Sequence, residues 1–193
     1  MISIEEAKTR QASLRATAQD ILDHYHIEEL IAPLGEVHKV GSFQYGSMVR
    51  PDIDFLIYTL NPSIEPLLKI ANNVMLSDGI GKVSLHNQYA WPTNSSVTKS
   101  MYLGIKPVWD NSFWQIDIHV MKPENHVDQD SFYLGWEKEL TQEQKDTILL
   151  LKTTLNDSGR YPNEFSSVDV YKAVLNGVSS IEQLEQFTTS KAN

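Results

Sequence analysis

The sequence has 193 residues, 41% of them apolar and 21% charged, with a net charge of −9. This is globular rather than disordered composition, enough for one sizeable domain or a domain with a helical appendage. There is no cysteine, which excludes disulfides, thiol catalysis and cysteine-based zinc sites. No apolar run approaches the roughly 20 residues that span a bilayer. The opening MISIEEAKTRQ lacks a signal peptide's apolar stretch, so a cytoplasmic location is expected.

Ser3 and Glu6 have capping-box spacing and open a predicted helix to about Leu30. Leu14, Ala18, Ile21, Leu22 and Tyr25 form its expected buried face, and Pro33 and Gly35 end it. EVHKVGS then reads as a strand running into a turn, and DIDFLIYTL as a second strand closed by Asn61-Pro62. Residues 63–76 fit a helix with Ile64, Leu67, Leu68, Ala71 and Met75 on one side. GKVSLHNQYAW, SMYLGIKPVW and FWQIDIHVM read as three more strands. From Thr141 the chain is helical: a long helix to Gly159, then shorter ones over 167–176 and 180–187. The expectation is an α/β (α+β) fold, a small mixed sheet flanked by helices and followed by a C-terminal helical region. The boundary is placed in the polar stretch KPENHVDQDS, giving a core domain over 1–125 and a helical region over 126–193.

The chemistry concentrates in VGSFQYGSMVRPDIDFLI, residues 40–57. Asp52 and Asp54 stand inside an otherwise apolar strand. Strand alternation points both to one side, with Cα atoms about 6–7 Å apart. Two such carboxylates repel unless one is protonated or a cation sits between them, and magnesium is a natural partner for hard oxygens. Upstream, Gly41 allows close backbone approach to a phosphate and the Ser42 hydroxyl can bond its oxygens. On FWQIDIHVM, Asp117 is central on the polar face of an alternating strand.

This pattern resembles the signature of the DNA-polymerase-β-like nucleotidyltransferase superfamily: hydrophobic residue, Gly-Ser, spacer, then Asp-hydrophobic-Asp-hydrophobic. The tail YPNEFSSVDVYKAVLNGVSSIEQLEQF is similar to the C-terminal segment of small bacterial nucleotidyltransferases of unassigned role. The resemblance implies a nucleotidyltransferase fold and transfer of a nucleoside monophosphate from an NTP to a hydroxyl, with release of pyrophosphate. It implies Asp52, Asp54 and Asp117 as catalytic ligands of two Mg²⁺ or Mn²⁺ ions, and Gly41 and Ser42 as holders of the β- and γ-phosphates. Arg50, and either Lys145 or Lys152 on the long C-terminal helix, are candidates for steering the triphosphate.

Each feature also has a plainer reading. The aspartates could be solvated residues paired with Arg50; Tyr45 could stack on a base or be a packed side chain; His119 could reach the acceptor or be a partly exposed strand residue; and Lys145 and Lys152 could be a wet helix face. His24 and His26 lack ligand spacing. For the acceptor, the net charge argues against long RNA or DNA and for a small molecule, a cationic antibiotic for example; a protein acceptor is the other option. The alternative to an enzyme is a catalytically silent nucleotide-sensing or protein-binding module on the same fold.

Overall fold

The computed structural model describes residues 2–92, 98–126 and 140–191. Helix α1, Ile4–His24, starts where Ser3 accepts a hydrogen bond from the Glu6 amide at 3.2 Å. It does not run on to Leu30. His26 takes a left-handed conformation (φ 51°), and α2, Ile27–Ile31, restarts in a new direction. The physical reason is burial. Tyr25 and Ile27 would face opposite sides of one continuous helix, whereas the break turns both inward. The Tyr25 hydroxyl then donates to the Asp78 carbonyl oxygen at 3.0 Å.

β1, Glu36–Val40, leads straight into a one-turn helix, α3, Gly41–Tyr45, where a simple turn was expected. β2, Asp52–Tyr58, follows, and then α4, Ile64–Met75. The buried stripe of α4 is Leu67, Ile70 and Val74, while Leu68 and Met75 are half exposed, so its inward face is rotated from the expected one. β3, Ile80–Asn87, stops short of Trp91 because residues 88–90 curl into a 3₁₀ turn. The Lys99 ammonium fastens that turn by donating to the Trp91 carbonyl at 2.6 Å and the Gln88 carbonyl at 3.3 Å. β4, Met101–Trp109, makes a tight hairpin through Asp110 and Asn111, both at positive φ, to the two-residue β5, Ser112–Phe113. β6, Gln115–Met121, is the last strand, so FWQIDIHVM is split at Trp114.

The strand order is β1-β2-β6-β4-β3, with β5 on β4. Only β2 and β6 run parallel; the other pairs are antiparallel. One sheet face carries Ile53, Phe55, Ile57, Leu103, Ile105, Ile116 and Ile118 into a core shared with α1, α2 and α4. Alternation therefore sends Asp52, Asp54 and Asp117 to the opposite face.

After Leu140 come α5, Gln142–Asp157, α6, Ser167–Leu175, and α7, Ile181–Lys191. Thr141 with Gln144, and Ser166 with Asp169, form reciprocal capping boxes that fix where α5 and α6 begin. These helices build a second core around Ile148, Leu151, Leu155, Val170 and Val174, which also takes in Tyr45 of α3. Ion pairs Lys8–Asp146 (2.5 Å) and Arg10–Asp157 (2.9 Å) tie α5 to α1 at the surface. Residues 127–131 of the expected boundary segment 122–131 lie outside the described residues. Among the described residues, no helix is long and apolar enough to cross a membrane.

Candidate active site

Register brings the three carboxylates together. Asp54 stands opposite Asp117 in the parallel β2–β6 ladder, and Asp52 precedes it by two residues on the same face. Their ligand oxygens all lie within 4.8 Å of one another. Burial pushes the Asp52 carboxyl up to about 6, helped by the charge of Asp117 and opposed by Arg50, Lys152 and Lys106. Burial, then Asp52 and Asp117, raise Asp54 well above the ordinary carboxylate range. The Oδ1 atom of Asp52 is buried with no hydrogen-bond partner. An orphaned buried oxygen beside two more hard oxygen donors fits a divalent cation such as Mg²⁺ or Mn²⁺.

Gly41 shows why the chain needs glycine there. Its φ is +66°, and a Cβ would sit 2.2 Å from Asp54 Oδ2. Backbone and carboxylate can be this close only without a side chain. Gly41, Ser42, Tyr45, Arg50, Asp52 and Asp54 form one wall of an open cavity of about 260 Å³; Tyr161, Pro162, Ser166, Ser167, Val168 and Tyr171 form the other. The first wall belongs to the sheet and its loops, the second to the C-terminal helices. Tyr161 is braced by a 2.6 Å hydrogen bond to the Ser167 hydroxyl, and Tyr171 by one of 2.5 Å to the Ser47 hydroxyl.

Lys152 is fully buried behind this second wall. Its Nζ is 3.4 Å from Ser47 Oγ and lies 5.2 Å and 5.8 Å from the ring centres of Tyr161 and Tyr171. Burial lowers the ammonium to about 8, opposed by the charges of Asp52 and Asp54. Lys145, one heptad earlier, is half-buried and not among the residues that line the cavity. The structure thus brings Gly41, Ser42, Arg50, Asp52 and Asp54 to one cleft, sets Lys152 behind it, and leaves Lys145 outside.

Asp117 faces a different concavity, lined by Lys82, Ser84, His86, Tyr102, Gly104, Lys106 and Gln115. The Tyr102 hydroxyl donates to Asp117 Oδ1 at 2.6 Å, and Gln115 Nε2 donates to the same oxygen. A Cβ at Gly104 would meet the Tyr102 hydroxyl, so this strand glycine makes room for the bond. The His119 ring lies over Tyr102 at 5.0 Å, and its Nδ1 bonds Ser100 Oγ at 3.0 Å. Burial lowers His119 to about 4, which keeps it neutral at pH 7. No motif in the sequence marks Tyr102, Gln115, Gly104, Tyr161, Ser166, Ser167 or Tyr171 as a site residue. Strand alternation alone could have put Tyr102 on the same kind of face as Asp117, but only the register makes them neighbours.

No protein-family model matches the sequence, and no characterised protein matches it by sequence. Solved structures do. The poly(A) polymerase complex GLD-2–GLD-3 matches with a TM-score of 0.52 at 13% identity, over 86% of this chain and 56% of that one. A GLD-2/RNP-8 complex matches at TM-score 0.49 and 12% identity, over 86% and 63%. A cytoplasmic RNA terminal U-transferase matches at 0.48 and 20%, over 90% and 48%. The chain therefore spans about half to two-thirds of the length of these proteins. The first match shows the fold: this is a nucleotidyltransferase fold, a small mixed sheet flanked by helices. None of these three bears on kinship with small bacterial enzymes.

The net charge alone predicts that no long nucleic acid is bound, and the fold shared with a poly(A) polymerase complex corrects that expectation. Whole-chain charge is a poor guide because a strand is gripped by local charge, and Lys82 and Lys106 lie beside the site in an acidic chain.

Proposed function

We propose that the chain transfers a nucleoside monophosphate from an NTP to the terminal ribose hydroxyl of an RNA. The observation that carries this reading is the convergence of Asp52, Asp54 and Asp117 on one sheet face beside the Gly41–Asp54 contact. The RNA acceptor is supported by the fold shared with the GLD-2 poly(A) polymerase complex, and no feature of the site among the described residues favours a small-molecule acceptor.

In this reaction the acceptor oxygen attacks the α-phosphorus, the bond from that phosphorus to the bridging oxygen breaks, and pyrophosphate leaves with both electrons. The hydroxyl proton is released to solvent by way of the carboxylates. Asp52, Asp54 and Asp117 would hold divalent cations, which supply charge stabilisation for the entering and leaving oxygens. Gly41 and Ser42 would cradle the β- and γ-phosphates, with Arg50 at the cleft wall. Tyr161, which lines the cleft, would stack on the base. Buried Lys152 adds positive charge behind the tyrosines, offsetting the carboxylates and favouring an anion in the cleft.

The test is incubation of α-labelled NTPs with a short RNA in Mg²⁺ or Mn²⁺. A labelled RNA longer by one or more nucleotides, lost in Asp54→Asn, supports the reading. Tight, metal-dependent NTP binding with no extension of any RNA would remove the acceptor assignment. No NTP binding under either metal would remove the transferase reading itself.

A further inference from the structure

The three carboxylates divide two concavities: Asp52 and Asp54 border the cleft with Gly41 and Ser42, while Asp117 borders the groove on β3, β4 and β6. An in-line displacement demands this separation, because the attacking oxygen enters opposite the leaving pyrophosphate. If the triphosphate tail lies over Gly41 and Ser42, the acceptor arrives across Asp117.

That second groove is built unlike an ordinary sheet face. Trp91, His86, Tyr102 and His119 form a continuous file of rings, with successive centres 5.9, 5.1 and 5.0 Å apart. The register explains the file, since His86 pairs with Tyr102 across β3–β4 and Tyr102 with His119 across β4–β6. Trp91 is exposed and its backbone is pinned by Lys99. Four residues back along β3 from His86, Lys82 stands directly opposite Lys106. Like charges paired across a ladder destabilise a sheet. Among the described residues neither lysine is in an ion pair. Lys106 offsets part of the charge on Asp52, but its repulsion with Lys82 stands, and a phosphodiester between the two lysines would turn that repulsion into attraction.

We propose that this groove is the acceptor platform: unpaired bases at the 3′ end of an RNA stack on Trp91 and His86 while Lys82 and Lys106 take the backbone phosphates. The ring file leads the strand toward Tyr102 and Asp117, where its terminal hydroxyl is delivered. Rings with two lysines make a surface for single strands rather than duplex, because a stacked ring needs an open base face. The platform rests on the transferase reading for its purpose but not for its measurement.

The experiment follows a short fluorescent oligo(A) and oligo(U) by anisotropy, without NTP, for the wild type, Trp91→Ala, His86→Ala and Lys82→Glu. Magnesium–NTP affinity of the same proteins is measured in parallel by calorimetry. The expected result is RNA binding weakened about tenfold or more by each substitution. Lys82→Glu should also flatten the salt dependence, and NTP affinity should be unchanged throughout. Variants that bind RNA as the wild type does overturn the platform, and so does a wild type that binds NTP but no RNA. A wild type that binds RNA through these residues but no NTP keeps the platform and removes the transferase reading; binding neither removes both.

Discussion

At Asp52 and Asp54 the fold holds charge where it is least welcome. Both carboxyls sit above their ordinary range, Asp52 at about 6 through burial and the charge of Asp117, and Asp54 through burial and the charges of Asp52 and Asp117. A group that binds its proton more tightly when folded contributes stability in acid and loses it as pH rises through its folded value. For Asp52 that loss spans roughly pH 4 to 6 and amounts to about 2–3 kcal/mol. His119, lowered to about 4, works the other way, since its neutral folded form is favoured only above that value. The informative measurement is therefore a difference. Metal-free Asp52→Asn should melt about 5 °C above wild type at pH 7.5, converge with it near pH 4, and be inert in nucleotide transfer. An Asp52→Asn protein no more stable than wild type at pH 7.5 would remove the strain argument. At Lys152, substitution by methionine keeps the volume and deletes the charge. It should weaken NTP binding about tenfold, read by calorimetry, and push the aspartate carboxyls higher still.

Two glycines separate the needs of backbone from those of contact. Gly41 and Gly46, at either end of α3, have nearly equal φ of +66° and +68°. Only Gly41 is crowded; a Cβ at Gly46 would meet nothing within 4 Å. Gly46→Ala should cost only the left-handed backbone penalty, about 1 kcal/mol in a denaturation curve, and leave nucleotide binding intact. Gly41→Ala must also displace Asp54, so metal-dependent NTP binding should fall by an order of magnitude or more. Equal effects of the two substitutions on binding would show that the Gly41–Asp54 contact is irrelevant. The elements that carry this site were largely legible in the sequence. Alternation around Asp52, Asp54 and Asp117 identifies their strands, and the serine and threonine caps mark helix starts. The break at His26 and the rotated face of α4 were not legible, because both depend on which side the sheet presents to each helix. The role of Tyr102 is hidden for a similar reason: its partner Asp117 is fixed by cross-strand register, which no local pattern encodes.

At the scale of the molecule, the cleft exists because two cores meet. The sheet layer supplies Gly41 through Asp54, and the helices after Leu140 supply Tyr161, Ser166, Ser167 and Tyr171. We propose that the chain's two parts divide near residue 126 structurally but share the nucleotide cleft. A fragment ending at residue 126 would expose Tyr45 and lose the Lys8–Asp146 and Arg10–Asp157 ties. It should bind no NTP even if its sheet forms, tested by circular dichroism alongside calorimetry. Full NTP affinity in the fragment would mean that the helical wall contributes nothing.

The parallel pairing of β2 with β6 has a kinetic consequence. These neighbours in space are separated in the chain by α4, β3, β4 and β5. Loop closure on that scale is slow and late, so Asp54 and Asp117 meet only once most of the sheet has condensed. A ligand that needs both carboxylates finds its full grip in the native state and little of it at the folding barrier. Divalent cations should therefore lengthen the lifetime of the folded protein by slowing unfolding, while leaving the refolding rate almost unchanged.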